Sequence, residues 1–245
     1  MHRLFLPLAL LLAVSASAQD DPLAYQTPAP ELAALVDAPR TPAVSLSPDR
    51  SMMALLARPS LPPVAELAEP ELGLAGIRVN PRTNGPSRAS GFTGVALQAV
   101  DGDGSRRAVT GFPDDARIRS ASWSPDGIHM AALVDRVDRI DLYVVDVRTG
   151  TARRALDAAV NDAAPGASYR WLPSSDGLVV RTVLSGRGAA PAEPTAPEGP
   201  VVQESMGQAA PARTFQDLLE DARDEALFDH YMTSEIVAVG LDGST

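Results

Sequence analysis

Short stretches in which apolar and polar residues alternate, each ending at a turn, dominate the middle of the chain. The clearest covers residues 140–147, where Ile140, Leu142 and Val144 fall on one face. Alternation with a period of two predicts a β-strand with one face directed at a core. Comparable runs predict further strands at residues 52–56, 93–100, 128–134, 178–183 and 232–241. The pattern therefore predicts an all-β fold.

One turn sequence, Ser-Trp-Ser-Pro-Asp-Gly at residues 122–127, recurs imperfectly upstream at residues 45–49 and downstream at residues 170–177. The prolines of the three copies are 77 and 48 residues apart. A repeat of about 40–50 residues built from short strands is typical of a β-propeller blade. The longer interval then indicates a blade that carries an insertion. We therefore predict a partial β-propeller of about three blades, each a four-stranded sheet, at residues 41–118, 119–157 and 168–245.

Several segments interrupt this pattern. Residues 59–76 contain four prolines, which exclude a long helix and predict an ordered insertion beside the first blade, followed by a loop at residues 80–86. Residues 186–212 are rich in proline, glycine and alanine and are predicted to form a long mobile loop. Apolar residues recur at helical spacing over residues 215–230, behind a sequence that resembles a capping box, and predict one inserted α-helix.

The N-terminus has the three parts of a secretory signal peptide. A short positive region precedes an apolar run at residues 4–14 and a small-residue site that ends at Ala18. The apolar run is too short to span a bilayer. We expect cleavage between Ala18 and Gln19, an extended lead-in at residues 19–40, and an exported product, periplasmic or extracellular, that has no membrane attachment.

Composition excludes several classes of function. The chain has no cysteine, which excludes disulfides and thiolate chemistry, and its net charge of −10 argues against a nucleic-acid partner. Only three histidines are present, and one of them lies within the predicted signal peptide. The histidines that remain are too few to suggest a zinc site, so we expect neither a metal nor another cofactor.

Several longer motifs resemble one family closely. They include Leu-Pro-Pro-Val-Ala-Glu-Leu at residues 61–67, Leu-Ala-Gly-Ile-Arg at residues 74–78, residues 84–88, Thr-Gly-Phe-Pro at residues 110–113, and Arg-Thr-Phe-Gln-Asp-Leu-Leu at residues 213–219. Together they resemble the start of a prolyl oligopeptidase-type serine peptidase of the glutamyl endopeptidase-like branch. The resemblance covers residues 37–243.

The resemblance implies an N-terminal propeller that gates or positions peptide substrates for a C-terminal α/β-hydrolase domain. The serine nucleophile of that domain sits in a Gly-x-Ser-x-Gly elbow, a motif that this sequence does not contain. We therefore expect this chain to be inactive alone. The alternatives are a free-standing propeller-like binding module and a non-functional truncated product.

The glutamyl specificity of the family implies an arginine that binds a substrate carboxylate, since arginine can do so with two parallel hydrogen bonds. The candidates are Arg78, Arg82, Arg88 and Arg213. Structural ion pairing is the alternative role for each of them. No residue is assigned a catalytic role.

Overall fold

The computed structural model describes residues 27–193, 199, 207 and 216–242. The chain divides into two compact units, residues 1–38 and 39–245. In the first unit, helix α1 (Pro30–Asp37) starts with proline. Proline lacks a backbone N–H, but an N–H at the first helical position would have no acceptor within the helix, so proline is well tolerated there. The expectation of an extended lead-in is therefore wrong for residues 30–37. The predicted signal peptide, with its cleavage site at Ala18 and Gln19, lies outside the described residues.

The second unit is mostly β-structure. Its elements are, in chain order, β1 (Arg40–Leu46), β2 (Met52–Arg58), α2 (Val64–Leu67), β3 (Leu72–Leu74), β4 (Ile77–Asn80), β5 (Gly85–Pro86), β6 (Gly94–Ala99), β7 (Arg107–Ala108), β8 (Arg117–Trp123), β9 (His129–Asp135), β10 (Ile140–Asp146), β11 (Thr151–Arg154), β12 (Tyr169–Trp171), β13 (Gly177–Val183), α3 (Ala222–Met232) and β14 (Ser234–Gly240). No helix in the described part of the chain is long and apolar enough to cross a membrane.

These strands form four antiparallel sheets. The first has the order β1-β2-β6-β7, and the second has the order β11-β10-β9-β8. The third contains β12-β13-β14, and a small sheet contains β3-β4-β5. Most neighbouring strands in a sheet are also consecutive in the sequence, so the antiparallel pairing follows from short turns.

Alternate residues of the second sheet enter two different cores. Met130, Ala132 and Val134 of β9 pack with residues of the first sheet, such as Leu56 and Leu97. The residues between them face the other way, and with Ile140, Leu142 and Val144 they pack against Leu178 and Val180 of the third sheet. The second sheet is thus covered on both faces.

A third, smaller core joins β3 and β4 to α3 through Leu74, Val79, Leu227 and Tyr231.

The three turn repeats have the same backbone hydrogen bond. Ser47, Ser124 and Leu172 each donate an N–H to a carbonyl five residues later, at 2.9 Å in every case. One residue of each turn has a positive φ; in the central turn it is Gly127, at +73°. Glycine adopts this conformation without strain, as the sequence pattern predicts.

A tryptophan beside two of these turns connects neighbouring sheets. Trp123 donates its indole N–H to the hydroxyl oxygen of Ser45 at 3.1 Å, and Trp171 donates to the carbonyl oxygen of Ser122 at 3.4 Å. Ser45 and Ser122 occupy the same place in consecutive repeats, two residues before the first residue of the turn. The contact between sheets is therefore repeated along with the turn.

Four sequence predictions are corrected by the structure. The loop predicted at residues 80–86 instead begins with the last residue of β4 and ends with the two residues of β5, both strands of the small sheet. The helix predicted at residues 215–230 is α3, which begins only at Ala222, where the Asp221 carboxylate accepts a hydrogen bond from the Asp224 N–H. The part of the chain that the structure describes contains three helices and not one. Among the described residues, the third large sheet has three strands and not four. Most of the predicted mobile loop, residues 186–212, lies outside the described residues.

Candidate functional site

Segments that are distant in the sequence meet at two buried asparagines. Asn84 lies in the turn from β4 to β5 with a φ of +59°, a conformation that asparagine tolerates better than most residues. Its side-chain Nδ2 donates to the Oδ1 of Asn161 at 2.6 Å and to the carbonyl oxygen of Tyr231 at 3.2 Å. The β4–β5 turn is thereby held against the end of α3.

Asn161 completes the connection. Its Nδ2 donates to the carbonyl oxygens of Tyr231 and Thr233, both at 2.9 Å, and its Oδ1 also accepts from the N–H of Ala163 at 3.1 Å. Carbonyl groups in the last turn of a helix have no intrahelical donor, so they need outside partners when buried. Asn161 supplies those donors at the C-terminal end of α3.

Arg187 adds a positive charge to this group. Its Nη1 donates to the Oδ1 of Asn84 at 2.6 Å and to the carbonyl oxygen of His230 at 2.8 Å. Its guanidinium carbon lies 5.5 Å from the centre of the Tyr231 ring, a cation–π contact. We refer to Asn84, Asn161, Arg187, His230 and Tyr231 as the amide cluster.

The electrostatics of the amide cluster favour an anion. Within the described part of the chain, no carboxylate pairs with Arg187. Burial lowers the pKa of Arg187, and burial followed by the charge of Arg187 lowers the pKa of His230, which favours its neutral form. A partly buried guanidinium with only neutral partners is suited to accept a carboxylate.

A second polar group lies next to this cluster. The Nη2 of Arg119 is 2.7 Å from each carboxylate oxygen of Asp135, and its Nη1 donates to the carbonyl oxygen of Pro86 at 3.2 Å. Asp162 lies further away, at 3.8 Å from the Nε of Arg119. Burial raises the pKa of both Asp135 and Asp162. One arginine thus lies beside two partly buried carboxylates and joins the second large sheet to β5.

Two of the predicted site arginines are engaged in ion pairs. The Nη1 of Arg78 lies 2.6 Å from Glu71, and its Nε lies 3.2 Å from Asp217. The Nε of Arg88 lies 3.6 Å from Glu71. A hydrogen bond from Ser87, followed by contacts with these arginines, lowers the pKa of Glu71. The structure therefore shows the ion-pairing role for Arg78 and Arg88, and their contact with a substrate stays a prediction.

The other two predicted arginines differ in placement. Arg82 is exposed, and its backbone N–H donates to the Asn80 side chain at 3.0 Å. Arg213 lies outside the described residues. Neither prediction is tested by these contacts.

Sequence reasoning missed Asn161 and Arg187. Arg187 stands in a segment whose proline, glycine and alanine content predicts a loop, and Asn161 lies between two strand patterns with no motif around it. Only their contacts with Asn84 identify them, and residues 84–88 belong to one of the motifs that carry the family resemblance. Within the described ranges, no group of three or more acidic or histidine side chains could hold a metal ion.

Comparison with known proteins gives close relatives by sequence. The chain is 40% identical over 251 residues to the Arabidopsis thaliana protein named "Probable glutamyl endopeptidase, chloroplastic", and 37% identical over 239 residues to the Oryza sativa protein of the same name. These alignments cover 95% and 91% of this chain but only 26% and 25% of the relatives. No family model matches the sequence.

Solved structures give weaker similarities. The acylaminoacyl peptidase of Pyrococcus horikoshii matches 64% of this chain and 21% of its own, at 15% identity and a TM-score of 0.36. TolB from Acinetobacter baumannii matches 61% of this chain and 37% of its own, at 20% identity and a TM-score of 0.27.

The sequence relatives establish the family. The chain belongs to the prolyl oligopeptidase-type serine peptidases. Within that family it matches the N-terminal portion of proteins in the glutamyl endopeptidase-like branch. It spans about a quarter of the length of the curated relatives.

The amide cluster predicts a large stability effect at one position. Asn161→Ala removes the donors to Tyr231 and Thr233 and the acceptor of Asn84, so buried polar groups lose their partners. We expect a loss of about 2–4 kcal/mol in the free energy of unfolding, measured by urea denaturation. Ser105→Ala, in an exposed turn, serves as the control and should change it by less than about 0.5 kcal/mol. A loss at Asn161 no larger than that of the control would contradict this account.

The raised pKa of Asp162 predicts a pH dependence. A carboxyl group whose pKa is higher in the folded state contributes stability that is present below its unfolded pKa and is lost as the pH rises through the folded value. An asparagine at position 162 does not ionise, so Asp162→Asn does not lose stability in this way as the pH rises. The free energy of unfolding of the variant, relative to that of the wild type, should therefore increase from pH 4 to pH 7. Thermal unfolding across that range measures the trend. Asp138→Asn, at an exposed turn, is the control, and an equal slope for both variants would refute the prediction.

Proposed function

We propose that this chain is the N-terminal, incomplete β-propeller of an exported prolyl oligopeptidase-type serine peptidase, and that it admits and positions peptide substrates. The observation that carries the proposal is the 40% identity over 95% of the chain to a relative of which it spans 26%. A C-terminal α/β-hydrolase domain supplies the serine nucleophile in this proposal, because the sequence itself contains no Gly-x-Ser-x-Gly motif.

The repeated contacts between the sheets support the propeller assignment. In each of the three large sheets, one copy of the proline-containing turn joins the first two strands in chain order. The indole bonds of Trp123 and Trp171 connect consecutive sheets at equivalent positions of the repeat. The second sheet buries one face against the first and the other face against the third. Radial repetition of antiparallel sheets with this stacking is how a propeller is built. We therefore interpret the three large sheets as consecutive blades.

The substrates we propose are peptides that contain glutamate, in line with the names of the relatives. Recognition of a glutamate side chain requires a cation that is not already neutralised. Arg187 meets this requirement, since its partners in the amide cluster are neutral, and the exposed Arg82 is the second candidate. Arg78 and Arg88 are weaker candidates because Glu71 and Asp217 already pair with them.

Activity measurements on a fusion protein test this proposal. We expect the chain alone neither to cleave peptides nor to react with a fluorophosphonate probe for active serines. Placed ahead of the hydrolase domain of the Arabidopsis relative, it should support cleavage after glutamate. In that fusion, Arg187→Gln should raise the KM for a glutamate peptide by roughly tenfold and leave the KM for the matched glutamine peptide unchanged.

Controls separate recognition from folding. Arg153→Gln, at an exposed position of β11, changes the net charge equally and should leave both KM values unchanged. Thermal unfolding of the Arg187 variant checks that the amide cluster is intact. Labelling of the chain alone by the probe would refute the absence of catalysis. Unchanged glutamate cleavage in variants of all five arginines (Arg78, Arg82, Arg88, Arg187 and Arg213) would refute their role in recognition.

Export is supported by the N-terminal sequence. The apolar run at residues 4–14 and the small residues up to Ala18 fit a cleaved signal peptide. When the full sequence is expressed in a bacterial host, we expect the periplasmic fraction to contain a product whose first residue is Gln19. N-terminal sequencing measures this. A cytoplasmic product that retains residues 1–18 would contradict export.

A further inference from the structure

Two like charges face each other where β1 begins and β2 ends. Arg40 and Arg58 are direct partners in the antiparallel register of these strands. Like charges that are directly opposite destabilise a strand pair. Among the residues that the structure describes, neither guanidinium has an ion-pair partner. The pair therefore presents two adjacent positive charges that no side chain of the described structure balances.

The two arginines line a cavity of about 260 Å³. Pro59, Pro62 and Phe92 contribute apolar groups to its wall, and its other lining residues are Ser60, Glu66, Ser90 and Gly91. Small-ligand sites combine mostly apolar walls with a few polar groups that fix orientation. This cavity combines such apolar residues with two arginines and two serines, whose side chains can donate hydrogen bonds.

The acidic residue that lines this cavity does not neutralise the arginines. Glu66 is 6% exposed, and its Oε1 lies 3.2 Å from the Nη2 of Arg117, which balances its charge. The register of β1 shifts between Arg40 and Ala43, which marks a β-bulge or irregularity. Bulges at sheet edges redirect side chains and are common beside binding sites. The backbone thus departs from regular strand pairing directly after Arg40, one of the two charged residues.

We propose that Arg40 and Arg58 bind the carboxylate of a small aliphatic acid or of an acidic peptide side chain, whose hydrocarbon part contacts Pro59, Pro62 and Phe92. Two guanidinium groups can bind both oxygens of a carboxylate, and the bound anion offsets the repulsion between them. The apolar wall favours an aliphatic carboxylate over inorganic phosphate. This site consists of residues 40–92 and does not depend on the proposed peptidase function.

Calorimetric titration of the chain with glutarate tests the site. We expect saturable binding that weakens as salt is added, because exposed charges are screened. Glutaramide, the uncharged analogue, should not bind, and inorganic phosphate should bind more weakly than glutarate. Absence of glutarate binding would overturn the proposal, and tighter binding of phosphate would overturn the assignment to a carboxylate.

Variants locate the site. Arg40→Gln and Arg58→Gln should each weaken glutarate binding by at least roughly tenfold. Arg170→Gln, an exposed arginine on β12, changes the net charge equally and should leave the affinity within about twofold. Equal effects of all three substitutions would show that only the net charge matters and would overturn the site.

Stability measurements separate binding from folding. Without ligand, Arg58→Gln should leave the Tm unchanged or raise it, because one of two repelling charges is removed. A lower Tm together with lost binding would indicate a structural role and overturn the proposal. Arg58→Lys keeps the charge but removes the planar guanidinium, which can donate two parallel hydrogen bonds to a carboxylate. This variant should fold, and its affinity for glutarate should lie between those of the wild type and Arg58→Gln. An affinity equal to that of the wild type for this variant would exclude recognition through the guanidinium.

Discussion

The burial of the second sheet on both faces is the constraint on which the rest of the structure depends. β9 and β10 direct alternate side chains to opposite sides, so that Met130 and Val134 enter one core while Leu133 and Leu142 enter the other. Because the side-chain period of a strand is two, a register slip of one residue would exchange the two sets. The turn at residues 124–127 and the indole bond of Trp123 fix that register and the position of the neighbouring sheet.

The amide cluster depends on this arrangement but uses different physics. The stacked sheets position the segment that follows β11, and with it Asn161, beside the β4–β5 turn. There the contacts are hydrogen bonds to carbonyl groups at the end of α3, where directional polar groups and not apolar area decide the geometry. The same contacts leave Arg187 with neutral partners, and this is what makes it a candidate for anion recognition.

The sequence predicted several features correctly because their causes are local. The proline-aspartate-glycine turn, the strand at residues 140–147 and the repeated spacing follow from backbone preferences and from alternation within a few residues. The resemblance of residues 214–217 to a capping box predicts a helix that starts too early, whereas Asp221 caps the N-terminus of α3. The sequence pattern predicts an insertion where β3 lies and a loop where β5 lies, since these strands are too short for alternation to be recognised.

The sequence by itself determined the mostly β fold, the positions of the repeated turns, the absence of a serine elbow and the resemblance to a peptidase family. Those properties depend on residues that are neighbours along the chain or on whole motifs. Only the tertiary structure decided which arginines are neutralised. Arg78 meets Asp217, 139 residues away, Arg187 meets Asn84, 103 residues away, and Arg40 faces Arg58 across a strand pair. The charge that a side chain presents to a ligand depends on such distant partners, because electrostatic interactions follow distance in space and not separation in sequence.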